Sequence, residues 1–170
     1  MIYNYPKIIK SKIFSDKRGY LQEIYKRKYY KKNFKFAILV SSKKNVFRGL
    51  HFQKKIQQEK IVIVVKGSIV DFCVDLRSKS KTFAKTFRYK LKENSILYIP
   101  KGFAHGYLGL KNENKIVYLL SNYRSKKNES GISFLDKKIK LKMGKKNLIV
   151  SKKDQVNISI NKFIKTIKSL

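Results

Sequence analysis

KIVIVVKGSIVDFCVDL, residues 60–76, decides the fold class. Two runs of β-branched and aliphatic residues flank Lys66-Gly67-Ser68, and neither shows the three-to-four-residue apolar spacing of a helix. Glycine gives the backbone the freedom a tight reversal needs, so VIVVKGSIVDF reads as a β-hairpin around Gly67. Outward from it lie further short β-rich runs: FAILV (36–40), TFRYKL (86–91), SILYIP (95–100), HGYLGL (105–110) and KIVYLLSNY (115–123). Turn residues separate them at Lys92-Glu93-Asn94 and Pro100-Lys101-Gly102. Short strands with such breaks predict an all-β antiparallel sandwich or barrel. YKKNFK (30–35) reads as a polar connector. Helical spacing occurs only near the end, where Ile160, Phe163, Ile164 and Ile167 recur, so about 155–170 should form a short helix packed on the barrel. No repeat or linker interrupts the chain, and 170 residues suit a single domain, 1–170, with one sizeable core.

Composition narrows the function classes. No apolar run is long enough to cross a bilayer and the first residues, MIYNYPKIIK, have no apolar signal-like stretch, so a cytoplasmic protein is expected and no membrane partner. Cys73 is the only cysteine. Inside IVDFCVDL it reads as a buried, inert thiol. The net charge of +32 raises nucleic-acid binding as a rival function. Against it, the chain has 36 Lys and 6 Arg, whereas bidentate phosphate and base recognition favours arginine. The lysines are also spread along the whole chain instead of forming one stripe. The basic field should nonetheless draw in anionic ligands such as a sugar diphosphate.

Two histidines carry the chemistry. His51 lies in RGLHFQ (48–53) and His105 in IPKGFAHGYLGL (99–110). A metal-binding barrel would show His-x-His with a nearby Glu and a third His; here His51 is followed by Phe52 and Gln53, so no metal site is expected. The imidazoles are then free for acid–base work, given a carboxylate to orient the base. Asp71 and Asp75 alternate with apolar residues and are expected to pair with Arg77 or to cap the barrel edge.

The segments DKRG (16–19), RGLHFQ (48–53), QEKIV (58–62), VDLRSKSKTFAK (74–85), IPKGFAHGY (99–107), IVYLLSNY (116–123) and SKKD (151–154) occur in one order, from about Phe14 to Asp154. Together they resemble the dTDP-4-dehydrorhamnose 3,5-epimerase family of deoxysugar synthesis. The resemblance implies a cupin-type jelly-roll barrel that uses no metal or organic cofactor and acts on a 4-keto-6-deoxy sugar carried by thymidine diphosphate, inverting C3 and C5. An enzyme of the same fold that inverts C3 alone is the alternative.

The resemblance also assigns roles. A C–H beside a ketone is acidic because the resulting enolate is delocalised, so the reaction needs a base, a cation or donor near the ketone oxygen, and an acid on the other ring face. His51 matches the base, Asp154 the carboxylate that holds it, Lys60 the lysine near the enolate and Tyr118 the acid. His105 matches a second histidine lining the pocket, and Arg48 an arginine near the base and the phosphates. Arg18 and Glu23 match a segment that reaches into the neighbouring subunit's site, Arg18 toward the diphosphate and Glu23 toward the nucleobase. Gln53 and Tyr123 are candidates for the nucleotide end. The exchange of N-terminal strands, about 1–30, implies a homodimer. The chain departs from the family in two places. Phe36, Ala37 and Ile38 stand where the family carries Gln-x-Asn, and IKLKMGKKN follows Gly131 in place of an acidic, tryptophan-containing stretch.

Overall fold

The computed structural model describes residues 3–30, 33–144 and 147–168. The N-terminal part forms β1 (Lys7–Ile9), β2 (Ile13–Asp16), β3 (Gly19–Gln22) and a 3₁₀ turn (Arg27–Tyr29). The barrel strands follow: β4 (Phe36–Ser42), β5 (Val46–Gln53), β6 (Lys60–Lys66), β7 (Ser68–Asp75), β8 (Thr86–Lys92), β9 (Ile96–Ile99), β10 (Phe103–Gly109) and β11 (Asn114–Leu120). Two short strands, β12 (Glu129–Gly131) and β13 (Ile149–Val150), lead to helices α1 (Lys152–Gln155) and α2 (Ile160–Lys168). Of the expected connector 30–35, residues 31 and 32 lie outside the described residues, as does the side chain of Ile167.

One sheet runs β1-β9-β6-β11-β4, the other β12-β5-β10-β7-β8 with β13 added to β5, and β2 and β3 pair as a separate hairpin. Between the two large sheets lies a cluster drawn from both, including Val62, Ile116 and Leu97 from one and Ile69, Cys73, Leu91 and Phe103 from the other. This is the jelly-roll arrangement expected. A second cluster covers the back of the β5-bearing sheet, where Phe163 of α2 meets Phe52 edge-on with ring centroids 5.3 Å apart. A third, with Tyr25, Tyr30 and Phe34, covers the back of β6 and β9. β6 and β7 are therefore buried on both faces for most of their length, which is why neither shows the regular apolar–polar alternation of a half-exposed strand.

The hairpin expected around Gly67 does not form. β6 pairs with β11 and β9, while β7 pairs with β10 and β8, in the opposite sheet. A single residue separates the two strands, and the tightest hairpin link needs two. Gly67, at φ 87°, instead turns the chain from one sheet to the other. A Cβ there would stand 2.4 Å from the Glu113 carbonyl oxygen, so the corner admits only glycine.

Candidate active site

The cavity that matters opens between the sheets and has a volume of about 440 Å³. Its walls bring together His51 and Arg48 on β5, His105 on β10, Lys60 on β6, Tyr118 on β11 and Asp154 on α1, with Gln53 at the end of β5. His51 and His105 are direct neighbours across the β5–β10 ladder. That pairing depends on two glycines: a Cβ on Gly49 would stand 2.5 Å from Gly106 Cα, so RGLH and FAHG must both supply one for their strands to approach.

Asp154 is built by local sequence. Ser151 caps α1, its Oγ accepting from Asp154 N at 3.2 Å, which leaves the Asp154 side chain free to point away from its own helix. One carboxylate oxygen accepts from Gly49 N at 3.2 Å and the other lies 2.5 Å from His51 Nε2. Burial opposes ionisation of this carboxyl, but the His51 hydrogen bond and charge, with Gly49 N–H and Ser151, hold it below the usual carboxylate range. The His51 side chain is one-third exposed and Asp154 nearly buried, so the imidazole is open to the cavity with a fixed carboxylate behind it. When Nε2 donates to Asp154, the other ring nitrogen keeps its lone pair.

His105 is buried and its Nε2 lies 2.7 Å from Asp71 Oδ2. Burial lowers its pKa, with Asp71 acting against that shift. Asp71 thus corrects an expectation: it neither pairs with Arg77 nor caps an edge, but sits fully buried behind the second histidine. Strand period explains it, since Asp71 and Cys73 project to the inner face and Cys73 Sγ donates to Asp71 Oδ1 at 3.4 Å. Asp75, by contrast, does pair with Arg77, Nη2 to Oδ2 at 2.7 Å. Cys73 is buried as expected, and burial raises its thiol pKa well above the ordinary value.

Lys60 is buried with its Nζ 3.5 Å from the His51 carbonyl oxygen, and burial lowers its pKa against the pull of Cys73, Asp71 and Glu129. Tyr118 is buried beside His105, ring centroids 5.7 Å apart, and burial raises its pKa well above the phenol value. It therefore holds its proton at neutral pH. Tyr118 belongs to one sheet and His51 to the other, so two side chains able to exchange a proton line the cavity from different sheets.

The remaining candidates are more dispersed. Arg48 donates from Nε to Ser42 Oγ at 2.9 Å, at the inner side of the cavity. Gln53 lines the cavity while its Oε1 accepts from Ser125 N at 3.3 Å. Tyr123 is exposed and its ring lies 6.0 Å from that of Phe36, a cavity residue. Arg18 and Glu23 lie away from this chain's own cavity. Arg18, 84% exposed, pairs with Asp16, and Glu23 pairs with Lys26. Reasoning from sequence missed Arg124, Glu129 and Lys153, which also line the cavity; Glu129 bridges the two cations at 2.7 and 3.1 Å. The scarcity of arginine and glutamate, 6 and 5 in the chain, was the available signal. Among the described residues no three His, Cys, Asp or Glu side chains converge as a metal site, and no helix is long and apolar enough to cross a membrane.

Opposed proton-transfer side chains in the mouth of a jelly-roll barrel define an acid–base isomerase, and a carbon acid flanked by a carbonyl is the substrate such a pair suits. Comparison with known proteins narrows this class. The family model described as dTDP-4-dehydrorhamnose 3,5-epimerase matches residues 5–162, and the chain belongs to that family. The dTDP-4-dehydrorhamnose 3,5-epimerase of Shigella flexneri is 38% identical over 156 residues, 86% of each chain. Among solved structures, the dTDP-6-deoxy-D-glucose-3,5-epimerase of Legionella pneumophila in complex with dTDP-4-keto-L-rhamnose superposes with a TM-score of 0.89 at 31% identity, covering 92% of this chain and 88% of that one. The Bacillus anthracis epimerase with TDP and PPi bound gives 0.87 at 32% identity, covering 91% and 93%.

Proposed function

We propose that the chain inverts C3 and C5 of dTDP-4-dehydro-6-deoxy-D-glucose in dTDP-L-rhamnose-type synthesis, with no metal or organic cofactor. The observation that carries this reading is the His51–Asp154 pair on one sheet's side of the cavity and the protonated Tyr118 on the other. His51 removes the proton beside the ketone, and Asp154 stabilises the imidazolium that forms. Lys60, buried next to the His51 carbonyl, faces the negative charge that develops on the ketone oxygen. A neutral His105 that donates to Asp71 keeps a lone pair with which to accept from a sugar hydroxyl. Tyr118 returns a proton to the opposite face. Arg48, Gln53 and Tyr123 serve the phosphates and the nucleotide end. Arg18 and Glu23, on the β2–β3 arm and just past it, serve a neighbouring subunit's diphosphate and nucleobase, which makes the working unit a homodimer. The protein acts in the cytoplasm and takes no nucleic acid as partner.

Incubation with the 4-keto-6-deoxy thymidine diphosphate sugar in deuterated water tests this directly. Deuterium should enter both C3 and C5, read by NMR, and NADPH should be oxidised when the following reductase is added. His51→Ala should slow incorporation by about 10²–10⁴-fold, the usual contribution of a positioned base. Label at C3 alone would limit the enzyme to one centre, and undiminished exchange in His51→Ala would remove His51 from the base role.

A further inference from the structure

One wall of the cavity is apolar. Phe36, Ile38 and Val40 alternate along β4 and all line it, with Leu120 of β11 beside them. Ile38 stands directly across the ladder from Tyr118, and Phe36 directly across from Leu120. Ile38 is 37% exposed, so its side chain is available to whatever fills the cavity. The other walls carry polar side chains, His51, His105, Lys60, Arg48 and Gln53 among them, so the β4 wall is the side that offers a substrate hydroxyl no side-chain partner.

The sugar's own chemistry says which polar group an apolar wall can best do without. In a 4-keto-6-deoxyhexose joined to a diphosphate, C1 carries the phosphate, C4 is the ketone and C6 is a methyl group. Hydroxyls remain only at C2 and C3. C3 is a centre to be inverted, so it must keep its substituent. The C2 hydroxyl alone is dispensable to the proton transfers. C2 also joins the reacting edge, which lies at the depth of Tyr118, to C1, which leads out toward the nucleotide. Along β4 the same interval is spanned by Ile38, opposite Tyr118, and Phe36, whose ring lies near the exposed Tyr123. A hydroxyl held there loses its water and gains no partner, which weakens binding by about 5- to 100-fold.

We propose that Phe36 and Ile38 set the sugar specificity of this site, so that it accepts a nucleoside diphosphate 4-keto-2,6-dideoxyhexose at least as well as the 2-hydroxy sugar. The proposal rests on the epimerase reading above. Nothing else in the reaction changes: at each inverted centre one proton leaves and one returns, with His51 as base and Tyr118 as acid, and no electrons are exchanged with a cofactor.

The experiment measures solvent deuterium incorporation into each thymidine diphosphate sugar separately and compares kcat/KM. The wild-type ratio of 2-deoxy to 2-hydroxy sugar should be one or greater. Phe36→Gln with Ile38→Asn, and Ile38→Asn alone should the double variant not fold, should move the ratio toward the 2-hydroxy sugar by about tenfold. A wild-type preference of tenfold or more for the 2-hydroxy sugar overturns the proposal and leaves the epimerase reading standing. An unchanged ratio in a folded variant also overturns it. Absence of incorporation from both sugars in the wild-type protein overturns the epimerase reading, and the specificity proposal with it.

Discussion

His51 presents its imidazole to the cavity and rests it on the Asp154 carboxylate, a partner that suits an imidazole taking up a proton. Each unit of pKa shift corresponds to about 1.4 kcal/mol of preference for one protonation state. A carboxylate held low by His51 and by Gly49 N–H therefore stays charged while the histidine takes up its proton. Asp154→Asn keeps the size and the Ser151 cap but removes the charge. It can also reverse the hydrogen bond, because an amide nitrogen donates. The expected loss in kcat/KM is on the order of 10²–10⁴-fold, with the cavity intact. Steady-state rates on the 4-keto sugar, with circular dichroism as the folding control, check it; a loss below threefold would mean that His51 does not depend on this partner. Tyr118 gives a second expectation at the same scale. Burial keeps its proton on, so Tyr118→Phe, which preserves the ring against His105, should lose inversion at whichever centre depends on it while His51-driven exchange with solvent persists. Undiminished inversion at both centres in that variant would exclude Tyr118 as the acid.

The β7–β8 connection shows how an element holds the site's frame. Asp75 ends β7 fully buried and accepts from Arg77, Ser80 and Thr82, each of whose bonds to Oδ2 is 2.7 Å long. Burial pushes this carboxyl up, but those donors outweigh it and bring it down to about 2, from an ordinary 3.8. A carboxyl lowered on folding contributes stability that is complete above the unfolded value and is lost as pH falls through the folded one. The window is therefore pH 4 down to pH 2, and the contribution about 2 kcal/mol. Asp75→Asn should be less stable at pH 6 but should lose less on acidification across that window, a difference readable from urea midpoints at pH 5, 3 and 2. Parallel losses in the two proteins would contradict the assignment. This Asp75–Arg77 pair was legible in the sequence because the partners are two residues apart. Asp71 was not: its partner His105 is 34 residues away, and only the β7–β10 ladder brings the two strands together. The corner at Gly67 was misread for a related reason, since the composition of a buried strand says nothing about which sheet its successor joins. That His51, Lys60 and Tyr118 share one cavity was legible through the order of their motifs, while Arg124, Glu129 and Lys153 are placed by a loop, a three-residue strand and a short helix that carry no periodic signal.

At the scale of the whole molecule, the β2–β3 hairpin is the part that the barrel does not explain. It forms a sheet of its own, tied back chiefly through Tyr20 and Gln22 to Asn94. Ile13, Phe14, Tyr20 and Leu21 are all exposed on this one hairpin, a local concentration of large apolar side chains. A second barrel would cover these side chains and receive Arg18, which within this chain pairs with Asp16. In a two-fold dimer each arm would then complete the partner's cavity. Arg18→Ala damages the arm and leaves the base; His51→Ala removes the base and leaves the arm. Each homodimer should be impaired. When equal amounts of the two are unfolded together and refolded, half of the dimers are mixed, and each mixed dimer holds one cavity with an intact His51 and an intact Arg18 from its neighbour. About a quarter of wild-type activity should return under random pairing. If Arg18 serves its own subunit, no cavity in the mixture has both residues and nothing is regained, so activity no higher than the average of the two parents would confine the arm to its own barrel.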